Sequence, residues 1–375
     1  MHSLKIILPV IILCVGLVLP LQAQKIKRYF PIFTYDTDTL NEGKNKELNL
    51  VPILYRSPET GIATGLVAFG LFKIGGGKDT NVRTSNISMP LVITQLKQYV
   101  FWLQYNLIFP RENLFWRGVN IVQRFNEYYY GIGNEAKSAD KELIEYNLMR
   151  INQRLLFRAY KRHFIGPQYQ AYYTWNLTGK EVLAREGTVG NKGYFSSGLG
   201  ASYFYDSRDN IVASYSGTFV DIGTYLYAKA FGSDYLFTNT IIDLRKFVEI
   251  RKNNILAFQL FGSLNEGDVP FMQIAHIGGP NNMRGYYFGR YRDKILTTFQ
   301  AEYRLPLFWK FGMVAFGGVG NVAKDFQVYD FNNIKIAGGT GLRYLINKYE
   351  RVNIRFDVGF TNEGMNFYLN VGEAF

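Results

Sequence analysis

The sequence has one cysteine, Cys14, and only three histidines in 375 residues. Disulfide frameworks and Cys/His zinc sites therefore have no raw material, and neither a metal nor a cofactor is expected. Charged residues are sparse at 19%, and prolines number 11. Beyond residue 23 no uncharged apolar run reaches the roughly 18 residues that a spanning helix requires, which argues against a bundle of membrane helices. What abounds is the aromatic ring, 28 Tyr and 30 Phe, beside 37 Gly. That balance suits many strands joined by Gly-containing turns and excludes disorder.

The first residues read as an address. One Lys stands in residues 1–5, residues 6–21 are uncharged, and Leu21-Gln22-Ala23 ends in a small residue suited to cleavage. This predicts a signal peptide over 1–23, cleaved on export, because an apolar run holding Pro9 and Pro20 is too short for an anchor. Cys14 is not expected to carry lipid, since Leu13 before it is not small and the apolar run continues past it. The formal charge of +12 would suggest nucleic acid in a cytosolic protein. Export removes that partner and leaves two readings, anionic outer-membrane lipid including lipopolysaccharide, or basic residues lining a wet lumen.

Along the rest of the chain apolar and polar residues alternate. In residues 99–109 one face reads Tyr99, Phe101, Leu103, Tyr105, Leu107, Phe109, and near the C-terminus Val352, Ile354, Phe356, Val358, Phe360 alternate with Asn353, Arg355, Asp357, Gly359. Such strands have one greasy and one wet side. Arg150, Asn152, Arg154 and Arg158 share a face over about ten residues, a length that fits a tilted bilayer crossing better than a soluble sandwich. Sixteen such segments begin near residues 46, 61, 82, 97, 114, 144, 164, 193, 213, 235, 253, 293, 311, 334, 350 and 365. The expected fold is all-β, a 16-stranded antiparallel transmembrane β-barrel over 46–375, in the bacterial outer membrane. Residues 24–45 then form a short periplasmic tail or plug, too short for a domain with its own core.

Residues 277–294, IGGPNNMRGYYFGRYRDK, are Gly-rich, basic and aromatic at once. A loop turned into a barrel carries a cation into a confined space and needs a fixed anion there. Glu302 suits that role, because Gln300, Glu302 and Arg304 share the face opposite Phe299, Ala301, Tyr303 and Leu305. On Gly278-Gly279, Arg284-Gly285-Tyr286 and Gly289-Arg290 the sequence resembles the BamA/TamA superfamily of outer-membrane assembly and translocation barrels, also called bacterial surface antigens. The resemblance extends to Tyr205-Asp206-Ser207-Arg208-Asp209-Asn210, to Ala301-Glu302-Tyr303-Arg304-Leu305-Pro306, to Val371-Gly372-Glu373-Ala374-Phe375, and in the first strand to Leu50-Val51-Pro52 and Tyr55-Arg56-Ser57-Pro58-Glu59-Thr60-Gly61. It implies a long loop folded into the lumen, with Arg284 paired to Glu302 and to a second carboxylate on the next strand. Gly318 stands where that second acid is usual, so either a single carboxylate is expected to hold the loop or the loop is expected to sit differently.

The remaining motifs have plainer readings. Tyr205 to Asn210 reads as a turn rich in hydrogen-bonding side chains. Gly131-Ile132-Gly133-Asn134-Glu135-Ala136 mimics a dinucleotide fingerprint but lacks a βαβ unit and reads as a hairpin loop. No Ser/His/acid set accompanies His163 or His276, so an enzyme is not expected. Phe367, Leu369, Val371 and Phe375 are expected on one face of the last strand, interrupted by Glu373; the aromatic end resembles the recognition signal of outer-membrane barrels, and an aromatic anchoring the membrane interface gives the same residue. By resemblance the barrel inserts or exports polypeptides through a seam between first and last strands, marked by Pro52, Val371 and Phe375. Its partners would be unfolded outer-membrane polypeptides and a separate periplasmic delivery factor, since no receiving module precedes the barrel. The other class that fits is a pore, transporter or surface-exposed structural barrel.

Overall fold

The computed structural model describes residues 46–57, 60–75, 82–179, 181–185 and 188–375. The expected signal peptide and the 24–45 segment lie outside the described residues. Sixteen antiparallel strands form one sheet in chain order. They are β1 (Lys46–Ser57), β2 (Gly61–Phe72), β3 (Ser85–Thr94), β4 (Tyr99–Ile108), β5 (Leu114–Tyr129), β6 (Glu142–Tyr160), β7 (His163–Thr178) and β8 (Tyr194–Asp206), followed by β9 (Gly217–Tyr227), β10 (Phe237–Arg251), β11 (Asn254–Gly267), β12 (Ile295–Pro306), β13 (Phe311–Ala323), β14 (Lys335–Asn347), β15 (Val352–Thr361) and β16 (Gly364–Val371). The architecture is a β-barrel, and each strand begins within four residues of its expected place. The largest offset is at β9, where Asn210 and Asp209 accept hydrogen bonds from the backbone of 212–216 and hold those residues in a turn.

Alternation sorts the side chains into two environments. On β12, Phe299 is exposed while Gln300, Glu302 and Arg304 are buried, and on β16 Met365, Phe367 and Leu369 are exposed. The outward apolar faces form the surface a bilayer would cover. Among the described residues no helix is long and apolar enough to cross a membrane.

The ends of the barrel differ. At one end the strands are joined by loops that include 130–141, 188–193, 228–236, 268–294 and 324–334; this is the loop end. The opposite end has tight turns at 161–162 and 252–253, together with residues 82–84 before β3 and the longer connection 207–216. Buried apolar clusters lie near both ends. Tyr129, Tyr227, Phe237 and Phe271 belong to one cluster, and Phe115, Phe164, Phe204 and Phe219 to another.

The sheet's outermost strands are β1 and β16, and among the described residues no backbone ladder joins them. Side chains bridge their flanks instead. Phe69 and Leu71 of β2 share a buried cluster with Ile346 of β14 and Val352 of β15, and Thr84 donates a 2.6 Å hydrogen bond to Glu350.

Candidate functional site

The 27-residue connection 268–294 dips into the loop end of the barrel. A short hairpin, Ala275–Ile277 paired with Tyr291–Asp293, forms its neck. Below the neck, Gly278, Gly279, Gly285 and Gly289 all have positive φ. The closest approach lies at Gly285, with φ +120, against Gly359 of β15. A Cβ on Gly359 would stand 2.5 Å from the Gly285 nitrogen, so the two backbones touch where neither side chain could fit.

Arg284 follows from that approach. It is 1% exposed, its Nη1 donates to Asp357 Oδ2 at 2.6 Å, its Nη2 donates to Glu302, and its guanidinium lies 3.7 Å from the Phe316 ring centroid. The expectation of a single carboxylate is corrected here. The second acid is Asp357, on β15 rather than on the strand after Glu302. Gly318 on β13 leaves room instead, since a Cβ there would come within 3.0 Å of Met283 Sδ and Gln300 Cγ.

The ionic cluster extends toward the turn end. Arg304 binds Glu302 Oε2 at 2.8 Å, Arg343 binds Asp357 Oδ1 at 2.5 Å and Glu373 Oε2 at 2.8 Å, and Arg355 lies 3.3 Å from Asp357 Oδ2. Four guanidinium groups thus share three carboxylates, all buried from bulk water. A buried charge is tolerable only with such partners, so removal of one member leaves others uncompensated.

Further bonds hold the loop. The Tyr368 hydroxyl on β16 accepts from the Gly285 N–H at 2.9 Å and donates to the Tyr286 carbonyl at 3.1 Å, while Asn366 donates to the Gly285 carbonyl at 2.6 Å. Tyr286 is buried and its hydroxyl donates to the Ile336 carbonyl at 3.2 Å. Arg290 reaches Glu363 at 2.7 Å and the Ala136 carbonyl at 2.8 Å, and it lies over the Tyr130 and Tyr291 rings. The glycine-rich hairpin loop around Gly131 is therefore a wall for this loop, with Gly133 N–H donating to the Arg292 carbonyl at 2.8 Å. His276, in the neck, has its pKa lowered to about 4 by burial and by the nearby Arg292 charge. Burial and the Tyr291–Glu363 hydrogen bond push the Tyr291 phenol up.

The seam residues separate. Pro52 is exposed on β1, opposite Leu66 of β2. Val371 ends β16 and packs against the cluster of Phe69, Leu71, Ile346 and Val352. Phe375 departs from expectation. The strand stops at Val371, Gly372 turns the chain with φ +86, and Phe375 is buried with Phe247 and Ala257 while Arg304 donates to its carbonyl at 3.0 Å. Glu373 explains the turn, because its ion pair with Arg343 draws residues 372–375 away from the line of Phe367 and Leu369. His163 opens β7, where its Nδ1 lies 2.8 Å from the Tyr203 hydroxyl.

Sequence reasoning missed Asp357, Arg355, Tyr368 and Glu363 as loop partners, and Arg343 as the partner of Asp357. One signal was present, since Asp357 is the acid on the wet face of 352–360. Among the described residues no group of three or more His, Cys, Asp or Glu is placed to hold a metal. The ion pairs and hydrogen bonds above hold the loop against strands β12, β15 and β16.

Comparison with known proteins gives the same architecture. The family model described as the Omp85 superfamily domain matches residues 119–375. Among solved structures, BamA from Haemophilus ducreyi lacking POTRA domains 1-3 is similar at 13% identity with TM-score 0.55, over 88% of this chain and 69% of that one. CdiB from Acinetobacter baumannii is similar at 12% identity with TM-score 0.53, over 88% of this chain and 60% of that one. Likenesses at such identity establish the fold. No curated protein matches the chain by sequence.

Proposed function

The chain belongs to the Omp85 superfamily, and from that premise we propose that this outer-membrane barrel helps insert or export other polypeptides, with the seam between β1 and β16 as the working edge. The observation that carries the reading is the absence of a ladder between those two strands among the described residues. An unpaired edge presents N–H and C=O groups that an incoming strand can satisfy. Pro52 on β1 has no N–H to donate, which weakens closure there. Loop 268–294 holds β15 through Asp357 and β16 through Tyr368 and Asn366, so one side of the edge is braced. Unfolded outer-membrane polypeptides are the clients in this reading, a separate periplasmic factor delivers them, and lipopolysaccharide and phospholipid cover the outer face. The apolar clusters near both ends weigh against a steadily open pore.

The test is depletion of the protein followed by an inventory of the outer membrane, with photocrosslinkers placed near Pro52 and Val371. Broad loss of barrel proteins together with crosslinks to unfolded clients supports assembly. Loss of one solute's uptake with an intact inventory would make the barrel a transporter.

A further inference from the structure

The segment 207–216 between β8 and β9 is more than a turn. It folds inward at the turn end, where Arg208, Ala213 and Ser214 are buried. Its two central apolar residues serve different clusters. Ile211 packs on the group of Phe115, Phe164, Phe204 and Phe219, and Val212 packs on the group that joins Phe69 and Leu71 to Ile346 and Val352. Polar contacts repeat the pattern. Asp206 at its root takes Arg83 at 2.9 Å, on the β2–β3 side of the seam. Asp209 takes Arg351 at 2.5 Å, Arg351 lies 3.8 Å from the Tyr215 ring centroid, and Asn210 donates to the Glu350 carbonyl at 3.3 Å, all on the β14–β15 side.

We propose that 207–216 is an internal latch that ties both flanks of the β1–β16 seam to the β8–β9 wall, so that the edge parts only when the latch lets go. Among the described residues no ladder joins β1 to β16, so contacts from within carry that task. The described bonds of loop 268–294 reach the β15–β16 side, whereas Asp206, Asp209 and Val212 bring the latch to both sides. Asp209 keeps its charge for this role. Burial alone would raise its pKa, but the Arg351 bond and the Ser216 and Tyr215 N–H groups outweigh that and hold it below the usual carboxylate range. The latch deepens the assembly reading and rests on it only in supposing that the edge opens.

The experiment reads seam spacing directly. Spin labels replace the exposed Leu48 and Leu369 as Leu48→Cys and Leu369→Cys, in a Cys14→Ser background, and their separation is measured by dipolar spectroscopy in lipid vesicles. The parent gives one short population. Asp209→Lys raises the long-distance share roughly two- to fivefold, the scale of a part-exposed ion pair. Adding Arg351→Asp returns it towards the parent. Val212→Asp, which sets a charge in the cluster, raises the share by about tenfold or more. Heat-modifiable gel mobility reports folding. Should Val212→Asp not fold, the Asp209 and Arg351 variants decide, since both side chains stand at the rim with 28% exposure. Folded variants with parent-like spacing, or a charge exchange no better than the single change, overturn the latch. A seam that widens without crosslinks to clients upholds the latch and removes the assembly reading. Crosslinks to clients with spacing unchanged do the reverse.

Discussion

Strands β12–β16 and strands β1–β4 cross the same bilayer by different means. The first group buries Arg284, Arg304, Arg343 and Arg355 among Glu302, Asp357 and Glu373, and it clamps a loop. The second contains no charged residue in β2, β3 or β4, and it presents Leu48, Leu54, Leu91 and Ile93 outward. Its described polar contacts are modest, such as Asn106 donating to Asn86 at 3.0 Å. The family model starts at residue 119, beyond β4. The difference shows that apolar alternation is enough to make a wall, whereas a docked loop demands named partners at named places.

The sharpest break of that contrast is Arg284→Glu. It sets a third carboxylate beside Glu302 and Asp357 in a dry site, where loss of one partner of a buried pair costs about 3–5 kcal/mol. Urea unfolding in vesicles should show a loss of at least that size, or no folded barrel. Adding Glu302→Arg recovers part of it, since Asp357 remains without its former partner. Equal damage in the single and double variants would show that Arg284 and Glu302 do not act as a pair. Gly359→Ala comes next. Its Cβ meets the Gly285 nitrogen and the Arg284 carbonyl, so the loop must lift, at about 1–3 kcal/mol for overpacking. Protease cutting within 278–290 should rise while strand content is kept; an unchanged cutting rate would mean the loop does not rest on β15.

Much of this was legible beforehand, and the unread parts share a cause. Strand number and position follow from a period of two that any inward or outward register must obey. Glu302 was readable because its partner loop precedes it directly and its own strand alternates cleanly. Asp357 was visible as a wet-face acid, but its pairing with Arg284 depends on which strands face each other across the lumen, which periodicity along one strand does not encode. Phe375 was misplaced for a related reason. Extending the face of Phe367 and Leu369 assumes that the strand continues, and Gly372 with the Glu373–Arg343 pair ends it. The segment around Asp209 looked like a turn and is one; its reach to Arg351 is a long-range fact that local turn chemistry does not contain.

Acid should loosen the clamped region more gently. His276 is held neutral in the neck, with a folded pKa of about 4 against an ordinary 6.5. A base with a depressed folded pKa contributes its full stability above 6.5 and loses it as pH falls towards about 4, because the unfolded chain binds the proton first. The ring retains some solvent contact, which limits the loss to about 1–2 kcal/mol. His276→Gln should flatten this part of the stability curve between pH 6.5 and 4. If the slope there matches the parent, another group is responsible.

The smallest effect belongs to the other region. Leu91 of β3 sits between Leu66 and Phe101 with 45% exposure, on the face given to lipid. Leu91→Ala in a packed protein core would cost about 2–5 kcal/mol, chiefly through the cavity left behind. Here acyl chains are as apolar as leucine and close over the gap, so the cost should stay below about 1 kcal/mol. Unfolding in vesicles measures it. A loss of core size would mean that a protein surface rather than lipid covers β3, and that the two halves of the barrel differ in their neighbours as well as in their interiors.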